Sequence, residues 1–253
     1  MRLPAKAPFD GWIYGVDTSL YQGTLNCVAL VEAGVSFAWH KATDGERHVD
    51  PQWARSSESS AQAGLPFAPY GVLHPSQDTR KQAENFLHNV RSVEFQLPPM
   101  LDFELAHGVT ALAALEAASM WLDIVEDGLG RGCVVYTGPS FIKGLAKLSG
   151  AAGAATLLAI ARRPAVEAHY TQDFTKLPAA MPPWPTWTVW QASGSHKDKD
   201  GNVICANACQ LPGTNTDVDV DFFRGTIEEL IALGAADVTP PAAPVNQSPT
   251  QSA

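Results

Sequence analysis

The sequence predicts a closed but irregular α/β barrel, a TIM-like single domain, and three observations predict it. Apolar runs of strand character alternate with amphipathic helical stretches up to about residue 150. Four of the runs end on carboxylate or aromatic–amide motifs: Gly15-Val-Asp17-Thr-Ser19, Met100-Leu-Asp102-Phe-Glu104, Trp187-Thr-Val-Trp190-Gln191 and Val218-Asp219-Val-Asp221-Phe222. Thereafter the apolar runs are joined by loops rich in Gly, Pro and Asn, with little room for full helices. Strands lying side by side in a parallel barrel gather their carboxyl ends, and with them Asp17, Asp102, Glu104 and Asp219, around one mouth.

Taken in order, Trp12–Asp17 reads as the first strand, followed by a helix over 26–33. Phe37–Lys41 is the second strand, with a helix over 52–63, and Pro69–Leu73 the third, with a helix over 79–90. Met100–Glu104 is the fourth, and the helix after it is well marked: it starts at Thr110, carries Leu115, Ala118, Leu122 and Val125 on one face, and stops at Gly128-Leu-Gly130. Cys133–Tyr136 is the fifth strand, before a helix over 140–148. The apolar runs Thr156–Ala161, Thr186–Gln191 and Val218–Asp221 supply the last three strands, and a helix over 226–233 closes the barrel. Residues 1–10 read as an extension, 11–235 as the barrel, and 236–253, rich in Pro, Ser and Gln, as a disordered tail.

The chain has 253 residues, 45% of them apolar and 17% charged, enough to bury one sizeable core. A net charge of −9 without a basic stripe excludes a partner held through phosphates, nucleic acid or anionic lipid alike. No run approaches the roughly 18 apolar residues of a membrane span, and the first ten residues lack the apolar stretch of a secretory signal. Four cysteines make no disulfide framework in a chain of this length. Cys27 and Cys133 sit in apolar surroundings and read as core residues. For Cys205 and Cys209 a local disulfide, two free thiols and a zinc site with His196 stay open, the last lacking a fourth ligand. Asp198-Lys-Asp200-Gly-Asn202 has its glycine too early for a calcium loop and reads as a solvated turn.

Asp102 and Glu104 are the chemically informative pair. Two apart on a strand, they point to one side with about 6 to 7 Å between Cα atoms. Crowded carboxylates resist losing the second proton, so one stays a protonated acid while its neighbour is ionised. Glycoside hydrolysis needs that division: an acid for the leaving oxygen and a carboxylate for the cationic sugar. Two acids on a strand are often a solvated edge, but the strand end before and the helix after argue against it here. Asp17 and Asp219 have the same placement, which also suits a cap or turn residue.

The ordered set Gly15-Val-Asp17-Thr-Ser19, Tyr21-Gln22-Gly23, Phe37-Ala-Trp-His-Lys41-Ala-Thr-Asp44-Gly45, Val49-Asp50-Pro51, Leu101-Asp102-Phe-Glu104, Tyr136-Thr137-Gly138, Trp187-x-x-Trp190-Gln191 and Val218-Asp219-Val-Asp221-Phe222 resembles glycoside hydrolase family 25, the lysozymes of the Chalaropsis type. The resemblance spans roughly residues 11–225. It implies a (β/α)5β3 barrel that cleaves the β-1,4 bond between N-acetylmuramic acid and N-acetylglucosamine in peptidoglycan, without metal or cofactor. It matches Glu104 to the general acid, Asp102 to its neighbouring carboxylate, and Asp17 and Asp219 to the acids of the first and last strands. Retention is favoured, with Asp102 as direct nucleophile or orienting the substrate's own acetamido group.

The sequence departs from the family pattern in places. The third strand reads Ala68-Pro-Tyr70-Gly-Val72, the acid after the second strand is Asp44 instead of Glu, Asp221 stands for the usual Asn, and the sixth strand, placed at Leu157–Ala161 and leading into Arg162-Arg163, lacks its tryptophan. Tyr70, Tyr136 and Trp190 are candidate sugar platforms, Gln191, Lys41 and Asp221 candidate polar contacts, and His74 reads as a structural group. The expected partner is the peptidoglycan glycan strand, met by a monomer that reaches the wall by holin-type release or a secretion machine. A non-catalytic, glycan-binding barrel is the alternative, which four intact acids disfavour.

Overall fold

The computed structural model of the chain describes residues 9–170, 176–197, 203–206 and 210–235, with 195–197 and 203–206 as backbone only. The expected tail, most of the N-terminal extension, the turn at Asp198–Asn202 and Cys209 lie outside the described residues, and the question of Cys205 with Cys209 and His196 lies there too.

The chain runs β1 (Trp12–Thr18), a 3-10 turn (Leu20–Gln22), α1 (Cys27–Glu32), β2 (Phe37–Asp44), β3 (His48–Val49), α2 (Trp53–Ala63), β4 (Phe67–Val72), α3 (Thr79–Val90), β5 (Met100–Asp102), α4 (Ala111–Leu129), β6 (Val134–Thr137), α5 (Pro139–Leu148), α6 (Gly150–Ile160), β7 (Ala165–Ala168), β8 (Val189–Gln191), β9 (Gly194–Lys197), β10 (Val203–Ala206), β11 (Asp219–Arg224) and α7 (Ile227–Ala232). The strand order β1-β11-β8-β7-β6-β5-β4-β2 closes through a β1–β2 pairing into an eight-stranded barrel, with β3 hairpinned onto β2. Neighbours from β1 round to β8 are parallel, and β11 alone runs antiparallel to both its neighbours. Five strands, β1, β2, β4, β5 and β6, lead into helices; β7, β8 and β11 do not precede any on the barrel wall. This is the (β/α)5β3 barrel.

Alternation along each strand divides the core in two. One parity points into the barrel, where Phe37, Trp39, Ala68, Met100, Val134, Val166, Val189 and Phe223 fill the lower layers, and Leu230 and Leu233 of the last helical segment plug the floor. The other parity, with Val16, Phe67, Leu101, Val135, Trp190 and Phe222, packs against Leu30, Trp53, Phe86, Leu115 and Trp121 in the helix layer. Gly15 belongs to the inner parity, and a Cβ there would lie 2.3 Å from the Phe37 ring. The helices start where the sequence supplies caps: Asp78 accepts from Lys81 N, Thr110 from Ala113 N, and Thr226 forms a capping box with Glu229.

The sixth strand needs correcting. Thr156–Ala161 belongs to α6, and the strand is Ala165–Ala168. Gly153, Leu157 and Ile160 are the buried residues of α6, spaced for one helix face, and Gly153 lies against Ser149 and Leu115, where a side chain would collide. An Ala/Gly/Leu run that is apolar on every face hides this period from the sequence. Arg163, expected just past the strand, instead ties the helix layer together: its Nη2 lies 2.6 Å from Glu126 Oε2 and 2.7 Å from Asp123 Oδ1. The loop over 193–213 holds the two-stranded hairpin β9–β10, which the sequence reading did not predict.

Candidate active site

The inner parity that packs the barrel floor turns polar at the carboxyl ends. Asp17 on β1, Lys41 on β2, Tyr70 on β4, Asp102 on β5, Tyr136 on β6, Gln191 on β8 and Asp219 and Asp221 on β11 all share it. The register sets the neighbours: Asp17 opposes Asp219 across β1–β11, Asp221 sits between Gly15 and Gln191, and Asp102 lies beside Tyr136. Glu104, two residues past Asp102, continues the same side, because Phe103 N still bonds to Tyr136 O at 2.9 Å and holds the chain extended. The four acids therefore share one mouth.

Their environments separate them. Glu104 is the member open to solvent, while Oδ1 of Asp102 is covered and has no hydrogen-bond partner among the described residues. Burial pushes Asp102 well above the usual carboxylate range, and the charge of Glu104 adds to it; Lys41 pulls the other way. Glu104 is raised by desolvation, offset in part by Lys41. Asp17 is pushed up to about 6 by burial, against a hydrogen bond from Gln191 and the charge of Lys41. Asp219 is pushed up to about 8 by burial and by the charges of Asp17 and Glu104. Asp221, raised by burial beside Asp17 and Asp219, is covered on both oxygens and has no hydrogen-bond partner among the described residues. Near neutral pH the mouth thus holds protonated and ionised carboxyls side by side, the state that acid-assisted bond cleavage uses.

A chain of hydrogen bonds fixes Asp17. Gln191 Nε2 donates to Asp17 Oδ2 at 2.6 Å, Tyr136 Oη donates to Gln191 Oε1 at 2.9 Å, and the Tyr170 hydroxyl lies 3.1 Å from that of Tyr136. The backbone of Gly194 makes room for the Tyr170 ring, which a Cβ there would meet at 2.5 Å. On the far wall, Lys41 Nζ lies 5.8 Å from the Tyr70 ring centroid and 3.3 Å from Asp44 Oδ2.

The model of glycosyl hydrolases family 25 matches residues 16–200, most of the chain. The chain belongs to this family. The Escherichia coli K12 protein YegX is 29% identical over 238 residues, covering 92% of this chain and 76% of its own length. The N,O-diacetylmuramidase of Chalaropsis sp is 29% identical over 198 residues, 73% of this chain and 89% of its own. Among solved structures, the bacterial lysozyme of Streptomyces coelicolor superposes with a TM-score of 0.70 at 24% identity, covering 88% of this chain and 97% of that one, a likeness of fold.

In this family 25 hydrolase the residues singled out from sequence fall into three groups. Asp17, Asp102, Glu104, Asp219, Lys41 and Tyr70 reach the mouth as expected from their strand ends. Tyr136, Gln191 and Asp221 share the same parity, and the first two are committed to each other and to Asp17. Trp190 does not reach it. Its ring is fully buried on the outer parity, 5.5 Å from that of Phe222 and 6.3 Å from that of Trp187, and its Nε1 donates to His169 O at 2.7 Å, so the expected sugar platform is a packing residue. Trp187 also packs, against Trp12.

The sequence reading missed Tyr170, which follows the strand it misplaced, and it passed over the work of Asp50. That buried carboxylate accepts from Leu20 N at 2.9 Å and Gln52 N at 2.8 Å, pinning the turn after Asp17. Its place in the motif Val49-Asp50-Pro51 was the available signal. Among the described residues no cluster of three or more His, Cys, Asp or Glu side chains is set to hold a metal ion, and no helix is long and apolar enough to cross a membrane.

Proposed function

We propose that the protein is an N-acetylmuramidase, a lysozyme cleaving the β-1,4 bond between N-acetylmuramic acid and N-acetylglucosamine in the glycan strands of peptidoglycan. The observation that carries this reading is the pair Asp102 and Glu104 at the carboxyl end of β5, one covered and one open, inside a ring completed by Asp17 and Asp219. Family membership and the likeness to lysozymes and N,O-diacetylmuramidases support it.

In the reaction Glu104 gives its proton to the glycosidic oxygen as the C1–O bond breaks, and the departing sugar leaves as an alcohol. Positive charge grows on C1 beside Asp102, which is relieved of the Glu104 charge and ionised once Glu104 carries the proton the pair shares, and which either bonds to C1 or orients the acetamido oxygen that does so. A water then attacks C1, the C1–O bond to Asp102 or to the acetamido oxygen breaks with its electron pair returning to that oxygen, and the water's proton goes to Glu104. Gln191 and Tyr136 hold Asp17 in place, while Tyr70 and Lys41 line the opposite wall. Action on the cell wall, after release or secretion, belongs to the same reading.

Reducing-end analysis of digested peptidoglycan tests it. New reducing ends on N-acetylmuramic acid are expected. Ends on N-acetylglucosamine, free stem peptides or no product at all would replace it with a glucosaminidase, an amidase or a glycan-binding barrel.

A further inference from the structure

Beside the acids, and outside the machinery described so far, His74 and Asp44 form a second constellation. His74 Nε2 lies 2.5 Å from Asp44 Oδ1, and the other oxygen of Asp44 faces Lys41 Nζ at 3.3 Å. His74 is held unusually firmly for a loop residue. The buried Gln82 clamps its backbone from both sides, accepting from His74 N and donating to His74 O, each at 2.9 Å, and Gln77 N donates to the same carbonyl at 2.9 Å. The turn after Asp44 is stitched to the same segment: Glu46 N donates to Gln77 Oε1 at 2.9 Å, Asp78 N to Glu46 Oε1 at 2.7 Å, and Asn85 Nδ2 to Gly45 O at 3.1 Å. Two hydrogen-bonded segments therefore bring an imidazole and a carboxylate together beyond Lys41, at the carboxyl end of β2.

We infer that His74 is a positioning residue for the hydrolysis: by occupying one oxygen of Asp44, it leaves the Lys41 ammonium shared between Asp44 and the acids of the mouth. The inference rests on the muramidase reading for its meaning, though not for its test. Lys41 faces Asp44 on its own strand, Asp17 on β1, Tyr70 on β4, and Asp102 and Glu104 at the end of β5. Glu104 in turn faces Lys41, Asp102, Asp17, Asp219, Tyr136 and Tyr170. The other charges near His74 are engaged elsewhere, Glu46 with Asp78 N and Asp78 with Lys81. Burial pushes Asp44 up, but the hydrogen bond from His74 and the charge of Lys41 outweigh it and hold Asp44 below its ordinary value, so Asp44 is a full anion whose charge is divided between two donors.

That division gives opposite signs to two substitutions. In His74→Ala, Asp44 turns both oxygens to Lys41 and draws the ammonium away from the acids. Glu104 then keeps its proton to higher pH, and the alkaline limb of kcat/KM moves up by about half a pH unit. In Asp44→Asn, Lys41 has only the acids left to answer its charge, so Glu104 yields its proton sooner and the limb moves down by about as much. His74→Gln, which keeps a donor at similar reach, holds the limb at the wild-type position. The same displacements are read without turnover from the carboxyl carbon titration of Glu104 by NMR, so an inactive wild type would overturn the muramidase reading and still leave this inference decided. It is overturned if, in folded protein, either His74→Ala or Asp44→Asn leaves the Glu104 titration in place, or if the two move it in the same direction.

Discussion

The barrel has two unlike arcs. Around β1, β2, β4, β5 and β6 each strand hands on to a helix, and this arc carries Asp17, Lys41, Tyr70, Asp102, Glu104 and Tyr136. Around β7, β8 and β11 no helix intervenes, and this arc carries Gln191, Asp219, Asp221 and, just past β7, Tyr170. The helix-backed arc sets acids beside a cation, since Lys41 lowers Asp17, Asp102 and Glu104 against the burial that raises them. Among the described residues the other arc sets no cation against its acids, and burial leaves Asp219 and Asp221 raised. In our reading the first arc performs the chemistry and the second holds and shapes it, which is why loss of the helices there is tolerated.

The sharpest way to break this division is on β5. Glu104→Gln is expected to reduce kcat by about 10³-fold or more while thermal unfolding stays within a degree or so of wild type; a folded variant with near-normal turnover removes Glu104 from the acid's role. On the open arc the expectation reverses. Trp190→Ala should cost about 3–5 kcal/mol in denaturant unfolding, as for other buried aromatics, with KM unchanged in whatever protein stays folded. A raised KM at unaltered stability would return Trp190 to the mouth.

Smaller effects probe the seam between the arcs. Gln191→Leu removes the charge-assisted bond to Asp17, and a drop of about 10- to 100-fold in kcat/KM is expected from the roughly 1.5–3 kcal/mol such bonds contribute. Unchanged kinetics would show that Asp17 needs no anchor from β8. The smallest effect is Asp221→Asn. A carboxyl raised in the fold binds its proton more tightly there than in the unfolded chain, so its stabilising effect is complete below about pH 4 and is lost as pH rises toward the folded value. The variant should therefore match wild type near pH 4 and melt about 2–4 °C higher at pH 7, the equivalent of roughly 1 kcal/mol. A gain independent of pH would mean that the carboxyl of Asp221 is not the cause.

Much of this was legible in the sequence wherever one period dominates. The helix expected over 79–90 is observed at Thr79–Val90, and the strands ending on Asp17 and Asp102 stand out because an apolar run breaks at a carboxylate. Two failures have physical causes. The run around Leu157 is apolar on all sides, so nothing in it distinguishes a helix from a strand, whereas the four-residue strand Ala165–Ala168 contains the buried Glu167 and is too short to announce itself. Trp190 and Gln191 were both assigned to the cleft, yet neighbours on a strand face opposite sides, so parity alone required one of them to leave. Contacts such as Tyr170 with Tyr136 join loops to strands across the barrel and have no periodic signature.

The pairing of β1 with β11 has a consequence in time. Asp17 and Asp219 are neighbours in register although about 200 positions separate them, and the strand that brings them together is the last of the eight to be made. Contacts so distant along the chain form late, since the loop they close must be ordered first. A growing chain, or one cut short before β11, has the Asp102 and Glu104 strand but neither Asp219 nor a closed ring to hold it opposite Asp17. In our reading, hydrolytic capacity therefore arrives as a single event when β11 closes the ring, and a chain that stops before β11 lacks the full set of acids.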